Sequence, residues 1–201
     1  MNSVQGGRVF LIHGWTGYPE EAWRPWMKVQ LEELGFQVSV PQMNRSMRSL
    51  FYPRIEDWIG TISENVVEPD ENTFFISQSL GAVATLRYIE RLGKNKRIGG
   101  AVLIAGFTHR LTYPQLHSFF EPEINYNKVA ERCDKFEFIH CRRDVCVPVE
   151  EANKLHQNLG GKLTITESGN HFMQLDGVRK LPEARDALVN MAKLKVPVLN
   201  R

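Results

Sequence analysis

The stretch Thr73-Phe74-Phe75-Ile76-Ser77-Gln78-Ser79-Leu80-Gly81-Ala82-Val83-Ala84 constrains the fold more than any other part of the chain. Thr73 to Ile76 is a short β-branched and aromatic run, the pattern of a buried strand. Val83, Leu86 and Leu92 then recur at helical spacing, so strand becomes helix almost without a loop. A corner that tight strains the backbone and lifts the Ser79 side chain clear of the sheet. It predicts a nucleophile elbow, with the Leu80 amide facing the same space as the hydroxyl. The usual pattern is Gly-x-Ser-x-Gly, and serine stands here at the first of its small positions, Ser77. A simpler reading competes: Ser77 or Ser79 could be a plain helix N-cap.

The rest of the chain decides between them. Arg8-Val9-Phe10-Leu11-Ile12 reads as the first strand, entering a loop at His13-Gly14-Trp15-Thr16-Gly17-Tyr18-Pro19. A helix is expected from about Pro25 to Leu34, closed by Gly35, and a second strand over Phe36–Val40 before Pro41. Residues 42–54 are polar, basic and irregular. Ile55, Trp58, Ile59, Ile62 and Val66 give a clean amphipathic helix. The elbow helix ends near Gly93. Ile98–Phe107 is apolar throughout, as a strand covered on both faces should be. Thr108–Asn125 has no period and is expected as a loop or partial cap. Further strands are expected at Lys135–Cys141 and Leu163–Thr166, and helices at Pro148–Leu159 and Pro182–Leu194. Strands alternating with helices predict a six-stranded parallel α/β sheet with helices on both faces. One domain spanning residues 1–201 is expected, since a chain of this size closes a single core.

In such sheets ligands sit beyond the carboxyl ends of the strands. Reading just past each strand yields Ser79, then Asp144 after Arg142-Arg143, then His171 after Gly169-Asn170. A serine hydroxyl needs a base within hydrogen-bond reach, imidazole suits near neutral pH, and a carboxylate fixes its tautomer. Asp176 is the alternative acid. His140 and His156 lie inside elements, His109 and His117 on the irregular segment, and His13 is expected to shape the first loop. Backbone amides of Trp15 and Leu80 are the candidate oxyanion donors.

Composition sets the remaining bounds. An apolar content of 42% and charged content of 24% are those of a soluble globular protein. A net charge of +2 gives no reason to expect a nucleic-acid partner. The first apolar run is too short for a leader, and no stretch is long enough for a membrane span. Three cysteines, Cys133, Cys141 and Cys146, lack metal-ligand spacing. A cytoplasmic enzyme without metal or cofactor is expected, acting on a small-molecule acyl substrate.

Assembled, these landmarks resemble the small α/β-hydrolases of the retinoblastoma-binding-protein and YdeN type. The matching residues are His13-Gly14-Trp15-Thr16-Gly17, Pro19-Glu20, Trp23, Pro25-Trp26, Val40-Pro41, the elbow, Asp144 with Val147-Pro148, and Gly169-Asn170-His171-Phe172. The resemblance implies a compact α/β-hydrolase fold with little or no lid. It implies a serine hydrolase with Ser79 as nucleophile, Asp144 as acid, His171 as base, and Trp15 and Leu80 at the oxyanion. The chain departs from the pattern at Ser77, at Gln78 where histidine is common, and at Val145 where proline is frequent. It contains no Leu-x-Cys-x-Glu motif, so a retinoblastoma-protein partner is not inferred. Trp15, Tyr18, Phe107, Phe119, Phe120 and Met173 are expected to line an acyl pocket. Arg45, Arg48, Arg142 and Arg143 could meet an acidic substrate or be solvated surface charge. The rival function is an interaction module that kept the fold and lost turnover.

Overall fold

The computed structural model describes residues 7–43 and 46–192. Six parallel strands, β1 (Arg8–Ile12), β2 (Gln37–Ser39), β3 (Thr73–Gln78), β4 (Gly100–Ile104), β5 (Phe136–Cys141) and β6 (Lys162–Thr166), form one sheet in the order β2-β1-β3-β4-β5-β6. The order reverses between β1 and β3, because the chain steps outward to β2 and returns to β1's other side. That reversal opens a crevice beyond the strand ends, the position where such sheets bind ligands. Register brings Ile12 beside Ser77 and Gln78 beside Ile104, so the first loop, the elbow and the end of β4 converge.

Strand alternation sends side chains to two cores. Val9, Leu11, Phe74 and Ile76 pack under α1 (Arg24–Glu33) and α8 (Pro182–Met191), with Trp23, Met27, Leu31 and Leu188. Phe10, Ile12 and Phe75 face α3 (Ile55–Val66) and α4 (Leu80–Arg91), with Trp58, Ile62, Val83 and Leu86. The middle strands β3 and β4 are buried at every position, which is why their sequences carry no polar alternation.

The structure differs from the sequence reading in local places. Residues 42–54 are not wholly irregular: α2 (Met47–Phe51) sits there, started by a reciprocal capping box between Ser46 and Ser49. Five residues are too few to show a period, so only the cap signals the helix. Thr108–Asn125 contains a 3-10 turn (Pro114–Leu116) and α5 (His117–Phe120), and α6 (Tyr126–Glu131) follows, capped by Asn125. The strand expected over Ile98–Phe107 is shorter, with Ala105, Gly106 and Phe107 past its end. α7 (Val149–Leu159) and α8 lie where expected, though the last two residues of the predicted Pro182–Leu194 helix lie outside the described residues, as does Arg45. No described helix is long and apolar enough to cross a membrane.

Candidate active site

β3 ends at Gln78, and Ser79 turns the chain into α4 with φ 54° and ψ −122°, a conformation that side-chain-bearing residues rarely adopt. The strain is held on several sides. Ser79 N–H donates to the Ile104 carbonyl at 2.8 Å, and the Ser79 carbonyl accepts from Ala82 N–H at 2.9 Å. Gly81 is obligatory here, since a Cβ would lie 2.5 Å from the His13 carbonyl oxygen and 2.7 Å from that of Ile12. Ser77 tolerates the small first position because its hydroxyl pairs with Thr85 at 2.7 Å inside the core.

His171 reaches Ser79 from the loop after β6. Its Nε2 lies 2.9 Å from Ser79 Oγ and its Nδ1 lies 2.7 Å from Asp144 Oδ2. The Asp144 side chain is fully buried, and its other oxygen accepts from the N–H groups of Cys146 (2.8 Å) and Val147 (2.9 Å). The carboxylate is thus anchored on one oxygen and aimed with the other. Nδ1–H donating to Asp144 leaves Nε2 free to accept from the serine hydroxyl. A group so arranged can withdraw a proton from Ser79 and hold the resulting positive charge beside a carboxylate.

The alternative acid, Asp176, is employed elsewhere. Its oxygens accept from the Asn170 side chain (2.7 Å) and from Met173 N–H (2.8 Å), shaping the loop around His171. Val145 replaces the frequent proline with a backbone donor, whose N–H reaches Asn170 Oδ1 at 3.0 Å and ties the two loops together.

The first loop approaches Ser79 closely. A Cβ on Gly14 would stand 3.1 Å from Ser79 Cβ. The bend beyond it is carried by Thr16 at φ 64°, with Gly17 N–H closing the turn onto the Gly14 carbonyl at 3.1 Å. His13 shapes this loop, as expected: its Nδ1 bonds the Gly14 carbonyl (2.7 Å) and its Nε2 accepts from Met43 N–H (2.9 Å). Burial holds its pKa down at about 4, so the ring is neutral. Neither Trp15 N–H nor Leu80 N–H donates to another group among the described residues, and Leu80 is the first residue of α4, where the helix leaves its amides unpaired.

His140, expected only as a strand residue, lies behind the acid. Its Nε2 donates to the Val147 carbonyl at 3.0 Å and sits 3.7 Å from Asp144 Oδ2, while its buried Nδ1 has no partner among the described residues. Burial lowers its pKa, which keeps a second positive charge away from the carboxylate. Asp144, Cys146 and His171 place ligand-type atoms within 4.8 Å of one another. Two of the three are already engaged in the hydrogen bond just described, and burial raises the Cys146 thiol pKa, so the set reads as a hydrogen-bonded pair beside a neutral thiol.

A cavity of about 280 Å³ opens over Ser79 and His171. Trp15, Phe107 and Met173, named above for an acyl pocket, are among the residues lining it. Tyr18, Phe119 and Phe120 are not: Phe119 packs edge-on against Trp58 and Phe120 against Phe107, both in the core, while Tyr18 is exposed. Leu111, Tyr113, Leu116, Val147 and Leu175 supply the remaining apolar wall, so the segment after β4 forms a partial cap. Of the arginines named for an acidic substrate, Arg45 lies outside the described residues, Arg48 and Arg143 are exposed and Arg142 pairs with Glu167 at 2.9 Å; none of these last three lines the cavity. Among the described residues the arginine that does is Arg24, which the sequence analysis did not single out.

A family model described as serine hydrolase matches residues 9–190. The YdeN protein of Bacillus subtilis (strain 168) is 31% identical over 184 residues, covering 91% of this chain and 95% of its own. The serine hydrolase RBBP9 of Rattus norvegicus is 24% identical over 174 residues, covering 85% of this chain and 84% of its own. The crystal structure of the B. subtilis ydeN gene product superposes with a TM-score of 0.84 at 29% identity, covering 94% of this chain and all of that one. Family model and relatives agree: the chain belongs to the serine hydrolase family, and its six parallel strands and helices form an α/β-hydrolase fold.

Proposed function

We propose that this enzyme cleaves a carboxylic ester, thioester or amide through an acyl-Ser79 intermediate, as a single catalytic domain. The observation that carries the reading is the unbroken hydrogen-bond chain from buried Asp144 through His171 to Ser79, at 2.7 and 2.9 Å. His171 takes the hydroxyl proton as Ser79 Oγ attacks the acyl carbon. Asp144 holds the ring in the required tautomer and stabilises the imidazolium. The developing oxyanion accepts from the Trp15 and Leu80 amides, each such donor being worth about 10² to 10³ in rate. His171 then returns the proton to the leaving oxygen, sulfur or nitrogen. Water, activated by the same ring, attacks the acyl-enzyme and releases the acid and free Ser79.

Trp15, Phe107 and Met173 form the acyl-binding wall in this reading, and the cavity volume suits a small-molecule substrate. The three free cysteines support a reducing, cytoplasmic setting.

Labelling with a fluorophosphonate, read by intact mass and peptide mapping, tests the proposal. A single adduct on Ser79 is expected, absent in Ser79→Ala and His171→Ala, with turnover of ester, thioester or amide lowered by about 10⁴ to 10⁶ in both variants. No adduct on folded wild-type protein would overturn it and favour an interaction module on a hydrolase fold.

A further inference from the structure

The cavity lining is chemically mixed. Its apolar part comes from Trp15, Phe107, Leu111 and their neighbours; the polar and charged part includes Glu21, Arg24 and Gln78, the last being next to Ser79 in sequence. Arg24 is 2% exposed, so its guanidinium is a charge taken out of bulk water into the wall of the cavity. Retaining it there is costly unless its N–H groups find acceptors.

Its acceptors are mostly neutral. Nε donates to the Tyr18 carbonyl at 3.0 Å and Nη1 to Gln78 Oε1 at 2.9 Å. Its nearest carboxylate is Glu21, with Glu20 also acting on its charge, and Nη2 stands 3.7 Å from Glu21 Oε2, close enough to feel the charge but beyond a hydrogen bond. That same Glu21 oxygen is committed to Tyr18 N–H at 3.1 Å, and the Glu21 side chain is 36% exposed. Burial drags the Arg24 pKa down to about 10, yet the group remains cationic at neutral pH. The result is a buried cation with Nε and Nη1 paired and Nη2 without a short acceptor among the described residues. The free N–H of Nη2 can donate a charge-assisted hydrogen bond to a carboxylate.

We propose that Arg24 forms an anion subsite in the cavity, and that this enzyme prefers acyl substrates bearing a carboxylate within reach of Ser79. The inference rests on the acyl-hydrolase reading for its chemistry, but its binding component stands without turnover. The carboxylate meets Nη2 of Arg24 in place of the long contact to Glu21, which swings toward solvent. The hydrocarbon part lies along Trp15 and Phe107. Glu21 therefore opposes the anion by like-charge repulsion while Arg24 attracts it. Substitutions at these two neighbours move the preference in opposite directions.

The test uses Ser79→Ala protein, in which an ester can bind without reacting, with binding followed by NMR titration. The probes are monomethyl glutarate and dimethyl glutarate, equal in length and differing in charge, and methyl 4-aminobutyrate as a cation. The quantity read is the ratio of anionic to neutral affinity. The expected ratio is at least about tenfold in favour of the monoanion. It collapses toward unity with Arg24→Gln added, is partly kept with Arg24→Lys, and rises with Glu21→Gln. Glu21 is partly exposed, so that last variant reports even if Arg24→Gln does not fold. A purely structural Arg24 would weaken both probes alike and leave the ratio unmoved, which overturns the proposal. A ratio near one in the parent protein, or a preference for the cation that Glu21→Gln abolishes, also overturns it. Fluorophosphonate labelling of the Ser79-intact protein separates the two ideas: anion preference without labelling sinks the hydrolase reading alone, and labelling without anion preference sinks the subsite alone.

Discussion

Gln78 Nε2 donates to the backbone carbonyl of His171 at 2.7 Å, while Gln78 Oε1 accepts from Arg24. The residue before Ser79 thus clamps the loop carrying Ser79's partner, and both ends of its amide are used in the only orientation that satisfies them. The side chain is 3% exposed, so neither bond can be replaced by bulk water. In the proposed reaction this clamp would set the distance from His171 to Ser79.

Gln78→Met keeps the volume and removes both bonds. The buried Arg24 and the His171 carbonyl then each lose a partner, at a cost of about 1–3 kcal/mol in stability. Loosening the His171 loop is expected to lower kcat by roughly 10- to 100-fold, since misplacement by an ångström has that scale. Steady-state kinetics with an ester, together with the rate of fluorophosphonate labelling, checks this. An unchanged labelling rate would show that the clamp does not position the base.

Asp144→Asn separates orientation from charge. The amides of Cys146 and Val147 demand an acceptor where Oδ1 now sits, so the asparagine oxygen stays there and its NH₂ turns to His171. That donor forces Nδ1 to accept, which moves the ring proton to Nε2, against the Ser79 hydroxyl. The base is lost although the geometry survives. A fall of about 10⁴ in kcat is expected, with a melting temperature close to wild type. A fall below tenfold would mean that Asp144 does not set the tautomer.

His13 gives a pH dependence of stability rather than of rate. Unfolded, it takes up a proton near pH 6.5; folded, burial delays this to about pH 4. The unfolded state therefore binds more protons between those values, and stability falls as pH drops through that window. The contribution is fully present above pH 6.5 and amounts to roughly 3 kcal/mol. Urea unfolding of wild type and His13→Gln at pH 7.5, 5.5 and 4.5 tests it. Wild type should lose more stability than the variant across this range, and parallel losses would remove His13 as the cause.

What the sequence made legible follows from how each feature is encoded. The elbow and the two strand-end partners, Asp144 and His171, could be read because a buried parallel strand writes a continuous apolar run, and its end marks the ligand edge. α2 and α6 could not be read by period, since they are five and six residues long; their signals are the single caps Ser46 and Asn125. The cavity wall was half legible. Phe119 and Phe107 are both buried aromatics, and only the turn of α5 toward Trp58 puts Phe119 in the core. Arg24 was silent because its role depends on Gln78, 54 residues away.

Glu151, on α7, ties the start of the partial cap to that helix. Its carboxylate is 2% exposed and accepts from Thr108 N–H (2.7 Å), the Thr108 hydroxyl (2.6 Å) and Lys154 (2.5 Å), with His109 Nδ1 at 3.1 Å. Thr108 begins the segment whose Leu111, Tyr113 and Leu116 wall the cavity. Burial by itself would raise the Glu151 pKa; the bonds from Lys154 and Thr108 outweigh it, and the pKa lies below the ordinary 4.5. A depressed folded pKa stabilises above the unfolded value, and the contribution is lost as pH falls through the folded one. Glu151→Gln should therefore cost about 1–3 kcal/mol at pH 7 and progressively less below pH 4.5. It should also raise KM more than it lowers kcat, because the wall it frees touches substrate and not the reacting serine. Urea unfolding at pH 7 and pH 4, with ester kinetics at pH 7, measures both effects. A stability loss that is the same at both pH values, or a kcat defect with KM unchanged, would show that the carboxylate does not hold the cap.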